Sequence, residues 1–115
     1  MLIVRAPDGR VLLERRPAHG IWGGLYSLPE LPADDSPRDW CARMLGTTVA
    51  AERELETIEH AFTHFDLDLA PRLLDLTASP SAVMDRGDWH WCRPGTTLDV
   101  GVPAPVAMLL GGSRL

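Results

Sequence analysis

The stretch Gly20-Ile21-Trp22-Gly23-Gly24-Leu25-Tyr26-Ser27-Leu28-Pro29-Glu30 constrains this chain more than any other. It sets three glycines, two large aromatics and one carboxylate within eleven residues. Glycine lets a backbone bend tightly or approach another group closely. Trp22 and Tyr26 bring large apolar area with a polar tip that needs a partner when buried. Leu25 to Leu28 reads as a short strand that Pro29 stops. Two readings of these residues stand side by side. One is a structural glycine corner beneath a sheet, built on Gly20, Trp22, Gly23 and Gly24. The other is a loop that holds a bound group. The residues after Glu30 separate them, because they either complete a metal site or fail to.

A chain of 115 residues has room for one hydrophobic core, so residues 1–115 are expected to form a single domain. No apolar run approaches the roughly 18 residues of a membrane span, and Met1 to Val4 is too short for a signal peptide. Cys41 and Cys92 lack C-x-x-C spacing. They read as small buried residues in a reducing compartment rather than a disulfide or a zinc site. His19, His60, His64 and His90 are scattered, and no metal site is expected from them. The formal charge is −5, and the eleven cationic residues are all Arg, spread from Arg5 to Arg114. That is not the basic stripe of an independent nucleic-acid binder. If the chain meets DNA, it should do so over a small patch, with another module supplying most phosphate contacts.

Taken in order, Met1 to Arg5 and Arg10 to Arg16 read as two strands about the turn signal Asp8-Gly9. Opening inside a hairpin is expected of a domain cut from a longer protein. Ser36-Pro37-Arg38-Asp39 reads as a helix start, with Ser as cap and Pro in the first turn. Trp40, Cys41, Met44 and Leu45 then share a helical face, and Gly46 is the stop. Glu52 to Phe62 and Phe65 to Leu76 read as two antiparallel strands joined near Phe62-Thr63-His64-Phe65, the second interrupted at Pro71. Trp89 to Cys92 is a further short strand, and Val106 to Leu110 a closing helix. The fold class is therefore α+β, a mixed sheet with helices packed on its faces.

The spacing Gly-x5-Glu from Gly24 to Glu30, set in this order of elements, resembles the Nudix fold. The family's signature continues, after seven intervening residues, with Arg-Glu-apolar-x-Glu-Glu-x-Gly. Here that run is Arg38-Asp39-Trp40-Cys41-Ala42-Arg43-Met44-Leu45. The metal-binding carboxylates fall on Ala42 and Arg43, and the glycine falls on Leu45, one place before Gly46. Diphosphate hydrolysis of this type needs Mg²⁺ held by several carboxylate oxygens. A methyl group and a cation cannot supply them, so the fold is expected without the reaction.

Three segments carry a more specific resemblance. They are Leu12-Leu13-Glu14-Arg15-Arg16-Pro17 running into the Gly20–Glu30 stretch, His60 to Leu69, and Gly101-Val102-Pro103-Ala104-Pro105-Val106 followed by Leu109-Leu110. Across nearly the whole chain they resemble the Nudix-like C-terminal domain of MutY-type adenine DNA glycosylases. The resemblance implies a bacterial, cytoplasmic, nucleoid-associated monomer that acts in base excision repair. Its implied partners are double-stranded DNA containing 8-oxoguanine·adenine and an N-terminal catalytic domain. That other domain, which bears an iron–sulfur cluster, excises the adenine; no cofactor is implied for this chain. The family's Phe-Ser-His turn, which reads 8-oxoguanine, falls on Phe62-Thr63-His64. Thr63 keeps the hydroxyl and adds a methyl group.

The chemistry of those residues stands beside the resemblance. 8-Oxoguanine differs from guanine by an N7–H donor and an O8 acceptor. The Thr63 hydroxyl can accept and donate, Phe62 can wedge at a base step, and His64 can donate to a base or a phosphate. The plainer alternative is a hairpin with Phe62 and Phe65 in the core and Thr63 and His64 solvated. Arg15 and Arg16, bordering the glycine loop, are candidates for phosphate contact. Trp89 and Trp91 read as one core and one rim residue, and Glu52, Glu54, Glu56 and Glu59 as a solvated face. Two other functions remain open on the residues: a free MutT-like hydrolase of oxidised nucleotides with an unusual metal site, and a pure protein-docking domain.

Overall fold

The computed structural model describes residues 1–19, 22–61, 66–78, 89–95 and 100–111. Strands β1 (Leu2–Arg5) and β2 (Val11–Arg15) form a hairpin about Asp8-Gly9. Gly9 takes φ 91°, the Ala6 amide donates to the Arg10 carbonyl at 2.8 Å, and the Arg10 amide donates to Asp8 Oδ1 at 3.1 Å. Leu2, Ile3, Val4, Val11, Leu12 and Leu13 are all buried. Such unbroken apolar runs belong to strands covered on both faces.

β7 (Arg72–Leu76) lies parallel to β1, from Leu2 opposite Arg72 to Arg5 opposite Asp75. β4 (Val49–Glu54) lies antiparallel to β7, from Val49 opposite Leu76 to Glu54 opposite Arg72. β8 (Trp89–Cys92) pairs with β2 from Val11 to Glu14. Val11 also pairs with Arg5, and Glu14 also pairs with Ser27 of β3 (Tyr26–Ser27). A strand has two edges, so β1 and β3 share the edge of β2 that faces away from β8.

Alternation sorts the side chains of this sheet into two cores. Leu2, Val4, Leu12, Leu74, Leu76 and Trp89 pack against Trp40, Cys41 and Leu45 of α1 (Pro37–Leu45). Ile3, Val11, Leu13, Leu73 and Cys92 pack against Val106, Leu109 and Leu110 of α2 (Ala104–Gly111). The result is three layers, helix–sheet–helix, within the α+β class that the pattern predicts. Trp89 is the core tryptophan and stacks on Trp40 with ring centres 6.1 Å apart. Trp91 is half-buried, with the Arg10 guanidinium 5.8 Å above its ring.

α1 starts and stops where its sequence directs. Ser36 is extended, and its Oγ accepts the Asp39 amide at 3.1 Å. Pro37 opens the first turn, and Gly46 closes the last at φ 66°, its amide donating to the Ala42 carbonyl at 3.2 Å.

Three expectations change. The run Glu52 to Phe62 is not one strand: β4 ends at Glu54, and β5 (Ile58–Ala61) begins a separate ladder. The run Phe65 to Leu76 divides likewise into β6 (Asp66–Leu69) and β7. Pro71, which has no amide to donate, stands at the break, and the Leu55 amide bridges the halves by donating to its carbonyl at 3.0 Å. β5 and β6 pair only with each other, from Ile58 opposite Leu69 to Ala61 opposite Asp66. The short strand Leu25 to Leu28 shrinks to Tyr26–Ser27. Glu52, Glu54, Glu56 and Glu59 are exposed as the pattern predicts, and Arg72 donates to Glu52 and Glu54 at 3.2 and 2.8 Å.

Replacing Ser36 by Ala removes an N-cap acceptor, so stability to urea should fall by about 1 kcal/mol. Faster hydrogen exchange at the Asp39 amide would accompany it. An unchanged midpoint with unchanged Asp39 exchange would contradict the capping geometry.

Candidate functional site

The register of the sheet decides which segments share an end. Leu2 of β1, Glu14 and Arg15 of β2, Arg72 of β7 and Glu54 of β4 all lie at the same end. From that end leave the loop that follows β2 and the β5–β6 hairpin. Arg5, Val11, Leu76 and Val49 mark the opposite end.

The loop is closed by backbone contacts. The Arg16 amide donates to the Leu25 carbonyl at 2.8 Å. The Gly24 amide is shared between the Arg16 and Pro17 carbonyls at 3.3 and 3.2 Å, and the Leu25 amide reaches the Trp22 carbonyl at 3.1 Å. Gly24 takes φ 78°, and among the described residues Trp22 is the non-glycine residue with positive φ, 56°. That conformation is strained for a bulky side chain. A Cβ at Gly23 would fall on the Ala18 carbonyl oxygen, with the Pro17 oxygen 3.2 Å away. The Gly101 carbonyl accepts the Tyr26 amide at 2.8 Å and ties the segment before α2 to the same corner. Gly23 thus serves a close approach of the chain to itself, and Gly24 a turn at positive φ, both as parts of a structural corner. Gly101 was not singled out as part of this corner, and its only sequence signal is a glycine ahead of the proline-marked start of α2.

The predicted site residues fall as follows. Arg15 is exposed at the end of β2, and Arg16, one residue on, is half-buried. Trp22 is half-buried, and Gly23 and Gly24 are exposed. Gly20 lies outside the described residues, as do Phe62, Thr63 and His64. The last described pair before that turn is Ala61 opposite Asp66. The architecture therefore gathers Arg15, Arg16, the glycine loop and the hairpin at one end of the sheet.

The third element is α1, on which hydrolytic Nudix chemistry would depend. Glu30 is exposed. Ala42 and Arg43 are exposed on the helix, and Arg43 Nη2 donates to Asp35 Oδ2. This contact holds the Asp35 carboxyl below the usual carboxylate range, chiefly through the hydrogen bond and secondarily through the charge. Among the described residues no group of three His, Cys, Asp or Glu side chains gathers to hold a metal. The residues present do not fit a divalent cation. Cys41 is buried on the inner face of α1, and its thiol is pushed up to about 11 by burial and by the Glu52 carboxylate. At neutral pH it is a packed thiol rather than a nucleophile.

The fold and this signature define the class: the chain belongs to the NUDIX domain family, whose NUDIX_4 model matches residues 1–111. Over 98 residues it is 22% identical to the adenine DNA glycosylase of Buchnera aphidicola subsp. Schizaphis graminum, covering 85% of this chain. The chain spans 28% of that relative's length. In fold it is similar to the C-terminal domain of mouse MUTYH, solved in complex with human PCNA: TM-score 0.69, 20% identity, 95% of this chain and 82% of that one. It is also similar in fold to MutT, studied from Aliivibrio salmonicida and Vibrio cholerae: TM-score 0.60, 18% identity, 96% and 92% coverage. Together these matches bear out the resemblance to the Nudix-like C-terminal domain of MutY-type glycosylases.

Two outcomes follow from this geometry. Because a Cβ at Gly23 meets backbone, Gly23→Ala should force the loop apart and cost about 1–3 kcal/mol of overpacking strain. Amide shifts should concentrate between Arg16 and Tyr26, and a variant melting like the parent with unshifted amides would refute the close approach. The Asp35 carboxyl has a lowered pKa, so its contribution to stability is present above its unfolded value of 3.8 and is lost as pH falls through the folded value. Arg43→Gln should therefore destabilise the chain at neutral pH, while the two proteins converge at about pH 2. Carboxyl NMR titration of Asp35 in both checks the cause directly.

Proposed function

We propose that this chain is a DNA-repair recognition domain that reads 8-oxoguanine opposite adenine for an adenine DNA glycosylase, and that it performs no chemistry itself. The observation that carries the reading is α1. On a Nudix frame similar to an adenine glycosylase segment, it offers Ala42 and an Arg43 tied to Asp35, where hydrolysis requires metal-binding carboxylates.

The substrate partner in this reading is double-stranded DNA containing 8-oxoguanine·adenine. The catalytic partner is a separate glycosylase domain bearing the iron–sulfur cluster. The chain works as a monomer, in the bacterial cytoplasm. Phe62, Thr63 and His64, in the turn between β5 and β6, are the proposed reading residues. The Thr63 hydroxyl accepts the N7–H that guanine lacks, while Phe62 wedges at the base step and His64 donates to a base or a phosphate. Support comes from the hairpin itself, whose strands β5 and β6 leave the sheet and pair with each other as a separate ladder.

The test is an NMR titration of the isotopically labelled chain with two duplexes, identical except for 8-oxoguanine·adenine or guanine·cytosine at the centre. Shifts should centre on Phe62 to Phe65 and be larger for the lesion. Thr63→Val, which keeps the shape and removes the hydroxyl, should reduce the preference by up to about tenfold. Equal shifts with both duplexes would count against lesion reading. Adenine release by the chain alone, or Mg²⁺-dependent pyrophosphate release from 8-oxo-dGTP, would overturn the absence of chemistry.

A further inference from the structure

Resting on that reading and deepening it, we propose that Arg15 and Arg16 form a site for DNA backbone phosphate, separate from the hairpin that reads the base. The argument begins with what the other arginines do. The chain carries sixteen carboxylates against eleven arginines, so an arginine without a carboxylate is the exception. Arg5, Arg10, Arg38, Arg43 and Arg72 each pair with an Asp or Glu. Arg93 donates to the Asp8 carbonyl, and Arg53 is engaged as well. Arg15 and Arg16 are the described arginines whose side chains have no partner among the described residues.

Arg16 adds a second observation. Its Nε is shut off from solvent and has no acceptor among the described residues. A buried donor left unmatched is costly, and few such groups persist in native proteins without a reason. Its backbone is fixed on both sides, the amide on the Leu25 carbonyl and the carbonyl under the Gly24 amide. The side chain thus starts from a fixed point beside the glycine loop and is half-buried. With Nε shielded, the two Nη groups are the fork left to meet an oxyanion with two oxygens to offer, as a phosphate has.

Phosphate occurs in free nucleotides and as the inorganic ion, as well as in DNA. The sheet favours DNA, because the arginines and the hairpin leave its same end. At that end β3 takes the edge of β2 that β1 takes at Val11, so β3 and β1 both stand between the end of β2 and β7, on the order of 15 Å from the hairpin's root. Phosphates follow one another about every 3.4 Å of helix axis along a strand. The contact therefore falls on the order of four nucleotides from the lesion. Consecutive residues at a strand end face opposite ways, so Arg15 and Arg16 take neighbouring phosphates rather than a single one. The site positions the duplex and carries no sequence information.

The test measures the affinity of the chain for lesion and undamaged duplexes across a salt series, with Arg15→Ala, Arg16→Ala, Arg16→Lys, Arg10→Ala and Thr63→Val. Each alanine at 15 or 16 should flatten the log–log salt slope by about one, equally on both duplexes. Arg16→Lys should keep the slope while weakening binding severalfold. Arg10→Ala, at the far end of the sheet, should leave the slope unchanged. If Arg16→Ala fails to fold, Arg15→Ala and Arg16→Lys decide. Unchanged slopes in variants that melt like the parent would overturn the phosphate site while leaving lesion reading intact. Flattened slopes without lesion preference would sustain the site and sink the reading. A shift of the Arg16 Nε–H signal with inorganic phosphate or a nucleotide but not with duplex would assign the site to free phosphate and overturn its place on DNA. An absence of binding by the parent chain at low salt would overturn both.

Discussion

Burial of the central strands on both faces governs this structure. β1, β2 and β7 carry apolar residues at successive positions, and alternation sends them to opposite sides. Neither side tolerates water, so a helix must cover each. α1 and α2 are the amphipathic and the apolar solutions to that demand. Once both faces are closed, the remaining places for chemistry are the sheet's ends and the outer surfaces of the helices. In a hydrolytic Nudix protein the outer surface of α1 takes the metal. Here Arg43 and Asp35 bridge that surface, and the loop and hairpin at one end are left as the places where another molecule can be met.

The glycine corner shows how a local constraint supports that arrangement. Gly23 lets the chain pass against the Ala18 carbonyl, and Gly24 turns where a side chain would strain. The turn returns Leu25 to Arg16, which lengthens the pairing of β2 with β3 by one residue and fixes Arg16. Gly101 braces the corner from the distant end of the sequence. The loop is therefore held by the backbone, and the side chains it presents start from defined points.

Much of this was legible in the residues. Ser36, Pro37 and Gly46 mark both ends of α1 because capping chemistry is local. Trp40, Cys41 and Leu45 disclose its buried face because helical spacing is local too. The long hairpin was harder to parse. Its alternation runs smoothly through Leu55 and Leu69, and apolar period alone does not say when a strand leaves one sheet for another. Pro71 was visible as an interruption, but its role as a boundary depends on β7 pairing in parallel with β1, a contact between residues some 70 positions apart. The pairing of Arg72 with Glu52 and Glu54 was hidden for the same reason. The isolation of Arg15 and Arg16 emerges only when the partners of the other arginines are known. Resemblance, rather than pattern, led to Phe62, Thr63 and His64.

The break at Pro71 has a further consequence. Among the described residues β5 and β6 share no ladder with the six-stranded sheet, and the arm is rooted through Leu55 and Ile58, which pack against the core beneath α2. The arm is thus a graft on the body rather than a continuation of it. Glu59, Ala61 and Asp68 of the arm are exposed and belong to neither core, so selection can rewrite what these positions touch without renegotiating how the domain folds. The Nudix frame has, in this architecture, a second place, outside the ladder of the main sheet, on which to evolve.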